Sequence, residues 1–346
     1  MSVLQRIQTW APVPVYLAIG EDGVGAAEVA RVNPALTIAA SVRHASILLV
    51  CGAIRDDDRP ALARLHDQLP HPRAVLWWSA APLVEAADPV CSIDDDVTPA
   101  LLLLDRQLRS GDRASDADWL PDEPPNPWEG KGDYGQGGEG MMGGVPFGRS
   151  MPMTDEDLRD GLMLDAMMIR IGPWAAMLPP GLSLELTLQG DMIQQAKVLQ
   201  QAYATEAPYE TTSRWQAARL LALLGLDVLA HRCRRGAGKG ALPRDQLQSA
   251  RRCGAIFAIP PDLGRIGGST VRSRLEAMLR GTPLALPDDA PLLVDLLAGC
   301  EWQEAMLLIN SIPLEDLPRL TSIAVATDAD MQAPPQPAHQ HHGGHG

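Results

Sequence analysis

GGVPFGRSMPMTDEDLRDGLMLDAMMIRIGPWAAMLPPGLSLELTLQGDMIQQ, residues 143–195, begins as glycine-rich chain and ends in regular alternation. Leu182, Leu184, Leu186 and Leu188 alternate with Ser183, Glu185, Thr187 and Gln189, a period of two that predicts a half-buried strand. Gly190-Asp191 is a two-residue turn signal, and Met192 to Val198 supplies the return strand of a hairpin. Leu164 to Ile171 adds a third strand. The acidic run Thr154 to Asp160 reads as a solvated turn or a short helix start, since no neutral metal ligand stands near it. Met141, Met142, Met151, Met153, Met163, Met167, Met168 and Met177 fit an adaptable contact surface or core filling, the commoner use of methionine.

Upstream, VPVYLAI (residues 13–19), SILLVCG (46–52) and AVLWW (74–78) are short apolar runs that predict buried strands. Between the last two, Asp58 can cap a helix that aligns Leu62, Leu65 and Leu69 on one face. A second helix starts at Thr98 with Pro99 in its first turn and fades by Arg109. Strand and helix alternating in this way predict a parallel, flavodoxin-like α/β sheet over residues 1–110. Residues 111–150 read as a Gly/Pro-rich linker: Pro121, Pro124, Pro125 and Pro127 precede a glycine-dense run with little aliphatic content. Its G-x-G-x-x-G at Gly135, Gly137 and Gly140 lacks the preceding strand and following helix that a dinucleotide cradle needs.

Downstream of the β-rich segment (151–200), residues 201–326 predict a helical bundle, so the C-terminal part is α+β. Ser213 and Gln216 form a capping-box pair ahead of a helix running to about Arg235, with Trp215, Ala218, Leu221, Leu224, Leu226 and Leu229 making it the buried centre. Further helical runs fall at 242–257, 270–280, 290–298 and 302–309. Gly238-Lys239-Gly240 fails as a P-loop because Gly240 stands where Ser or Thr would reach the metal. Residues 327–346 are a His-rich, disordered tail whose His339, His341, His342 and His345 can bind nickel, zinc or copper, or carry only adventitious metal affinity.

A net charge of −14 gives no basic footprint for nucleic acid. No apolar run reaches 18 residues, and the start of the chain lacks a basic-then-apolar signal, so a cytoplasmic chain without its own transmembrane segment is expected. Cys51, Cys91, Cys233, Cys253 and Cys300 include no C-x-x-C pair, and at least four of them are expected to be buried and reduced. His44, His66, His71 and His231 fall in no triad or H-E-x-x-H pattern, and no nucleophile elbow occurs, so no catalytic residue is assigned.

Residues 46–82, SILLVCGAIRDDDRPALARLHDQLPHPRAVLWWSAAP, resemble the small, B-type subunit of respiratory complex I and of membrane-bound [NiFe] hydrogenases, with Leu62, Leu65, Asp67, Gln68, Pro70 and Pro72 in the matching positions. The second half resembles the large, D-type partner through Gly172-Pro173, Pro180-Gly181, LSLELTLQGDMIQQAKV and RWQAARLLALLGLDVLAH. The resemblance covers about two thirds of the chain and implies two NADH-quinone-oxidoreductase-like subunits fused in one polypeptide. It also implies a [4Fe-4S] cluster, yet the corresponding positions, around Ala18 and Ile19, around Ala81 and at 94–97, carry no cysteine. The loop beside the quinone head group in the complex I counterpart bears a histidine. Here it is Trp174, Ala175, Ala176, Met177, Leu178 and Pro179.

The expectation is therefore a cofactor-free scaffold or coupling subunit, peripheral at the inner membrane. Its partners would be antiporter-like integral membrane subunits, and Gly172, Pro173, Trp174, Met177 and Pro180 would form its docking loop. Two alternatives are a soluble metal-handling or assembly protein carrying nickel or zinc on its tail, and a working oxidoreductase subunit whose redox centres lie on partner chains.

Overall fold

The computed structural model describes residues 11–83, 90–92, 94–121, 153–204, 207–236 and 245–322. Five parallel strands, β1 (Val13–Ile19), β2 (Leu36–Ile38), β3 (Ile47–Cys51), β4 (Ala74–Trp78) and β5 (Val90–Cys91), form a sheet in the order β2-β1-β3-β4-β5. Every residue of β3 and β4 is buried, which explains why both read as unbroken apolar runs: a parallel sheet is covered on both faces. One face packs against helices α1 (Val24–Arg31) and α3 (Thr98–Ser110), the other against α2 (Arg59–Asp67) and the turn at Val42–His44.

The second sheet is antiparallel, β6 (Met153–Glu156), β7 (Met163–Ile171), β8 (Ser183–Gln189) and β9 (Met192–Gln200), in sequence order. Leu188 pairs with Ile193 and Gln189 with Met192, so Gly190-Asp191 makes the two-residue turn that its sequence predicts. The inner face of β8 and β9 packs on a helical layer: α4 (Tyr209–Leu223), α5 (Asp227–Gly236), α6 (Asp245–Arg252), α7 (Ala255–Ala258), α8 (Val271–Arg280), α9 (Leu293–Leu297), α10 (Trp302–Ser311) and α11 (Leu317–Leu320). Among the described residues no helix is long and apolar enough to cross a membrane.

Several local expectations are corrected. Residues 153–156 of the acidic run are strand β6, because pairing with β7 gives its backbone a ladder that isolated acidic chain lacks; only the part after it turns. Ser213 and Gln216 lie inside a helix that begins four residues before Ser213, and they bond within the core instead of capping: Ser213 Oγ donates to the Glu210 carbonyl and Gln216 Nε2 to that of Ile312. That helix stops at Leu223, and Gly225, at φ 74°, separates it from α5. Trp215 is half-buried against the N-terminal sheet's core. Gly254, at φ 78°, likewise splits the run 242–257. Of the cysteines only Cys51 and Cys233 are buried; Cys91 and Cys300 are half-buried and Cys253 exposed. Met163, Met167 and Met168 are exposed on β7 and fill no core. α1, β2, β5 and α11 lie outside the expected elements, since these short segments have too few apolar positions for a period.

The start of the expected linker is bound to the sheet. The Asp116 carboxylate accepts from the Val75 amide, and Arg73, itself buried, donates to the Asp116 carbonyl and pairs with Asp118. The Trp119 ring stacks on His66 with centroids 3.9 Å apart, and the amides of Trp119 and Leu120 both donate to the Asp67 carboxylate at 2.9 Å. Ordinary linker composition thus hides a polar strap, fixed by buried groups that need partners.

Burial pushes the His66 imidazole below its ordinary range, with the Asp67 carboxylate only partly offsetting it. Burial alone would raise Asp67; the two strap amides and His66 outweigh it and hold the carboxyl low. Both groups bind protons more readily in the unfolded chain. Stability is therefore complete above the unfolded imidazole value of about 6.5 and declines as pH falls through it. Urea unfolding at pH 7.5 and 5 should show this loss, and H66F should flatten the dependence over that interval.

Candidate functional site

The segment after β7 is where the two sheets meet. Trp174 is buried, its Nε1 donates to the Ile19 carbonyl at 3.0 Å, and its own carbonyl accepts from the Tyr16 hydroxyl at 2.8 Å. β1 thus presents both a side chain and a strand-end carbonyl to the loop. A second lock lies beside it. Arg55 donates to the carbonyls of Gly181 (2.8 Å) and Gln201 (3.0 Å) and to Asp58 Oδ2 (2.9 Å), and stacks over the Tyr203 ring at 4.2 Å. Tyr203 Oη donates to the same Asp58 oxygen at 2.6 Å. Asp58, expected to cap α2, makes no such bond; its fully buried carboxylate is spent on this cross-unit contact. Gly181 sits at φ 82°, and a Cβ there would lie 2.7 Å from the Tyr203 ring, so only glycine lets the loop approach.

The carboxyl edge of the parallel sheet, the usual ligand-binding edge of such folds, is closed by its own backbone. Glu21 and Ala53 form an antiparallel bridge, with N–H to carbonyl distances of 2.7 and 3.0 Å, and the Gly20 amide donates to the Cys51 carbonyl at 2.7 Å. A Cβ on Gly23 would lie 1.8 Å from the Cys51 carbonyl oxygen and one on Gly52 2.1 Å from that of Glu21, which is why glycines stand where the two loops cross. The residues present do not fit a [4Fe-4S] cluster. Ala18 and Ile19 are buried in β1, and the cysteines nearest this edge, Cys51 and Cys91, are separated in register by the β4 residue Trp78. Burial pushes the Cys51 thiol up to about 12.

Of the docking-loop residues, Pro173, Trp174 and Pro180 line a cleft of about 270 Å³ between the two units, together with Tyr16, Ile19 and Leu178. Gly172 lies at φ 101° against the Leu182 carbonyl, and Met177 is half-buried on the helical core, its carbonyl accepting from Asn310 Nδ2. The loop therefore seats against this chain's own β1. Arg31, Arg219 and Arg234 also line the cleft, a basic group that their separation in sequence concealed. Among the described residues no group of three or more His, Cys, Asp or Glu side chains is arranged to hold a metal ion, and His339, His341, His342 and His345 lie outside those residues.

R55A removes both carbonyl donors and leaves the buried Asp58 carboxylate short of a cation, which should cost about 3 kcal/mol and split unfolding into two transitions. Y203F, which loses one hydrogen bond to a charged group, should cost about 2 kcal/mol. Denaturant titration followed by tryptophan fluorescence and calorimetry measures both. Compared with known proteins, the chain matches no family model and no curated protein.

Proposed function

We propose that the chain is a cofactor-free scaffold or coupling subunit of a complex-I-like or hydrogenase-related membrane oxidoreductase assembly, a fusion of its small and large core subunits. The observation that carries this reading is the closed carboxyl edge. Backbone crosses between residues 20–23 and 51–53 and Trp174 bonds to Ile19, and on this reading these contacts occupy the place of a redox relative's reactive group. We read the N-terminal unit as flavodoxin-like because its strand order, β2-β1-β3-β4-β5, is that of the flavodoxin-like doubly wound sheet. On this reading the relatives' architecture is kept while its chemistry is replaced by packing.

A scaffold needs a surface for its partners, and β7 supplies a candidate. Leu162, Met163, Met167 and Met168 are each at least half exposed, apolar side chains presented on both faces of β7 and at its start. Methionine adapts to irregular apolar surfaces, and exposed apolar side chains gathered on one strand mark a contact surface. Antiporter-like integral membrane subunits are the partners we assign to it, which would hold the chain on the cytoplasmic side of the inner membrane.

Affinity capture of the tagged chain from detergent-solubilised membranes should recover large hydrophobic subunits. The double variant M167E/M168E should lose them while keeping the wild-type unfolding midpoint, because both side chains are exposed in the isolated chain. Recovery of the wild type alone, as a free monomer, would contradict the proposal.

A further inference from the structure

The cleft between the two units gathers positive charge in a chain whose net charge is −14. Arg31 from α1, Arg219 from α4 and Arg234 from α5 line it. One buried carboxylate, Glu28, serves this group: it lies 3.3 Å from Arg31 Nε and 2.9 Å from Arg234 Nε. Arg219 has no carboxylate in ion-pair range among the described residues. Its Nη1 reaches only two neutral acceptors, the Leu178 carbonyl at 3.3 Å and Asn310 Oδ1 at 3.4 Å. The Arg31 Nε is buried and, although in ion-pair range of Glu28, makes no hydrogen bond of regular geometry among the described residues. Asp227, at the rim, is exposed. Three guanidinium groups against one buried and one rim carboxylate leave the cleft net positive.

Buried guanidinium groups with unfilled donors are costly, and the cost is relieved by an anion that accepts from them. Burial holds Arg219 down to about 10, with Glu28 offsetting part of that and Arg31 and Arg234 adding to it. The arginine still carries its proton at neutral pH. The lining also includes the apolar side chains of Ile19, Ile38, Pro173 and Trp174. A volume of about 270 Å³ lies just below the range for drug-sized ligands, which suits a small molecule with one charged end and one apolar end.

We propose that this cleft binds a small amphipathic oxyanion, a carboxylate or phosphate monoester on a short apolar body, with Arg219 and Arg31 on the anionic group and Trp174 against the body. The proposal is independent of the scaffold reading, since it is tested on the isolated chain.

Isothermal titration of the purified full chain with phenyl phosphate and with benzoate tests it, with benzyl alcohol as the uncharged control. At least one of the two anions should saturate a single site, and benzyl alcohol should not bind. R219Q should weaken binding about tenfold, the loss of one charge-assisted hydrogen bond. A176E and A40E alter exposed lining residues and leave every arginine contact in place. Each should weaken anion binding by a similar factor with an unchanged circular dichroism spectrum, which keeps the test open if R219Q does not fold. Sedimentation with phosphatidic-acid vesicles separates the sources: A176E-sensitive vesicle binding assigns the anion to a lipid headgroup, and its absence alongside phenyl phosphate binding assigns a soluble ester. No saturable heat from either anion, or affinities unchanged in A176E and A40E, would overturn the proposal.

Discussion

The contact between Arg55, Asp58 and Tyr203 fixes how the rest of the chain is arranged. Asp58 has no exposure to water, and Arg55 and Tyr203 both donate to its Oδ2, so among the described residues the buried carboxylate is partnered only across this contact. Arg55 comes from the turn after β3, Tyr203 from the segment after β9, and the remaining guanidinium donors hold the carbonyls of Gly181 and Gln201. A single buried carboxylate therefore joins the parallel sheet to the antiparallel one. Burial and the hydrogen bond to Asp58 both push the Tyr203 phenol up, which keeps its proton on the side where Asp58 needs a donor.

Once that joint is set, Trp174 has little choice of position. Its indole meets the end of β1 and its carbonyl meets Tyr16, so the loop covers ground that an open α/β sheet normally leaves to a ligand. The crossing of the two glycine-bearing loops completes the closure from the other side. What remains open is displaced toward α1, α4 and α5, where the three arginines stand. The scaffold reading and the anion cleft share this geometry: closure of the edge removes one site, and the gap beside it gathers charge from three separate helices.

Much of the architecture was legible because long apolar periods are hard to mimic. β1, β3, β4 and the β8–β9 hairpin follow from runs of branched residues and from the alternation of Leu182 to Leu188. Short elements were not, since three residues of β2 or two of β5 carry no period, and β6 owes its strand form to a neighbour rather than to its acidic sequence. The polar strap was hidden for a related reason: Ser115, Asp116, Asp118 and Trp119 look like linker until Arg73 and His66 are seen facing them. Helix capping was misassigned at Asp58 and Ser213 because residue type sets a preference for a cap, while the tertiary partner decides where the side chain is used. For the site, Trp174 and the two proline-bearing steps were visible in the sequence. The arginines were not, because Arg31, Arg219 and Arg234 meet only through the packing of α1 against α5 and α4.

The central claim, that the carboxyl edge of the parallel sheet is a closed structural joint, is tested most directly by hydrogen–deuterium exchange of the purified chain. The amides of Gly20, Glu21, Gly52 and Ala53 should exchange as slowly as those of Leu48 and Leu49 in β3, since Gly20, Glu21 and Ala53 donate to backbone carbonyls across the loop crossing and Gly52 donates to that of Trp78 at the end of β4. Rapid exchange at these four amides, with β3 still protected, would mean that the edge opens to solvent, and would contradict it.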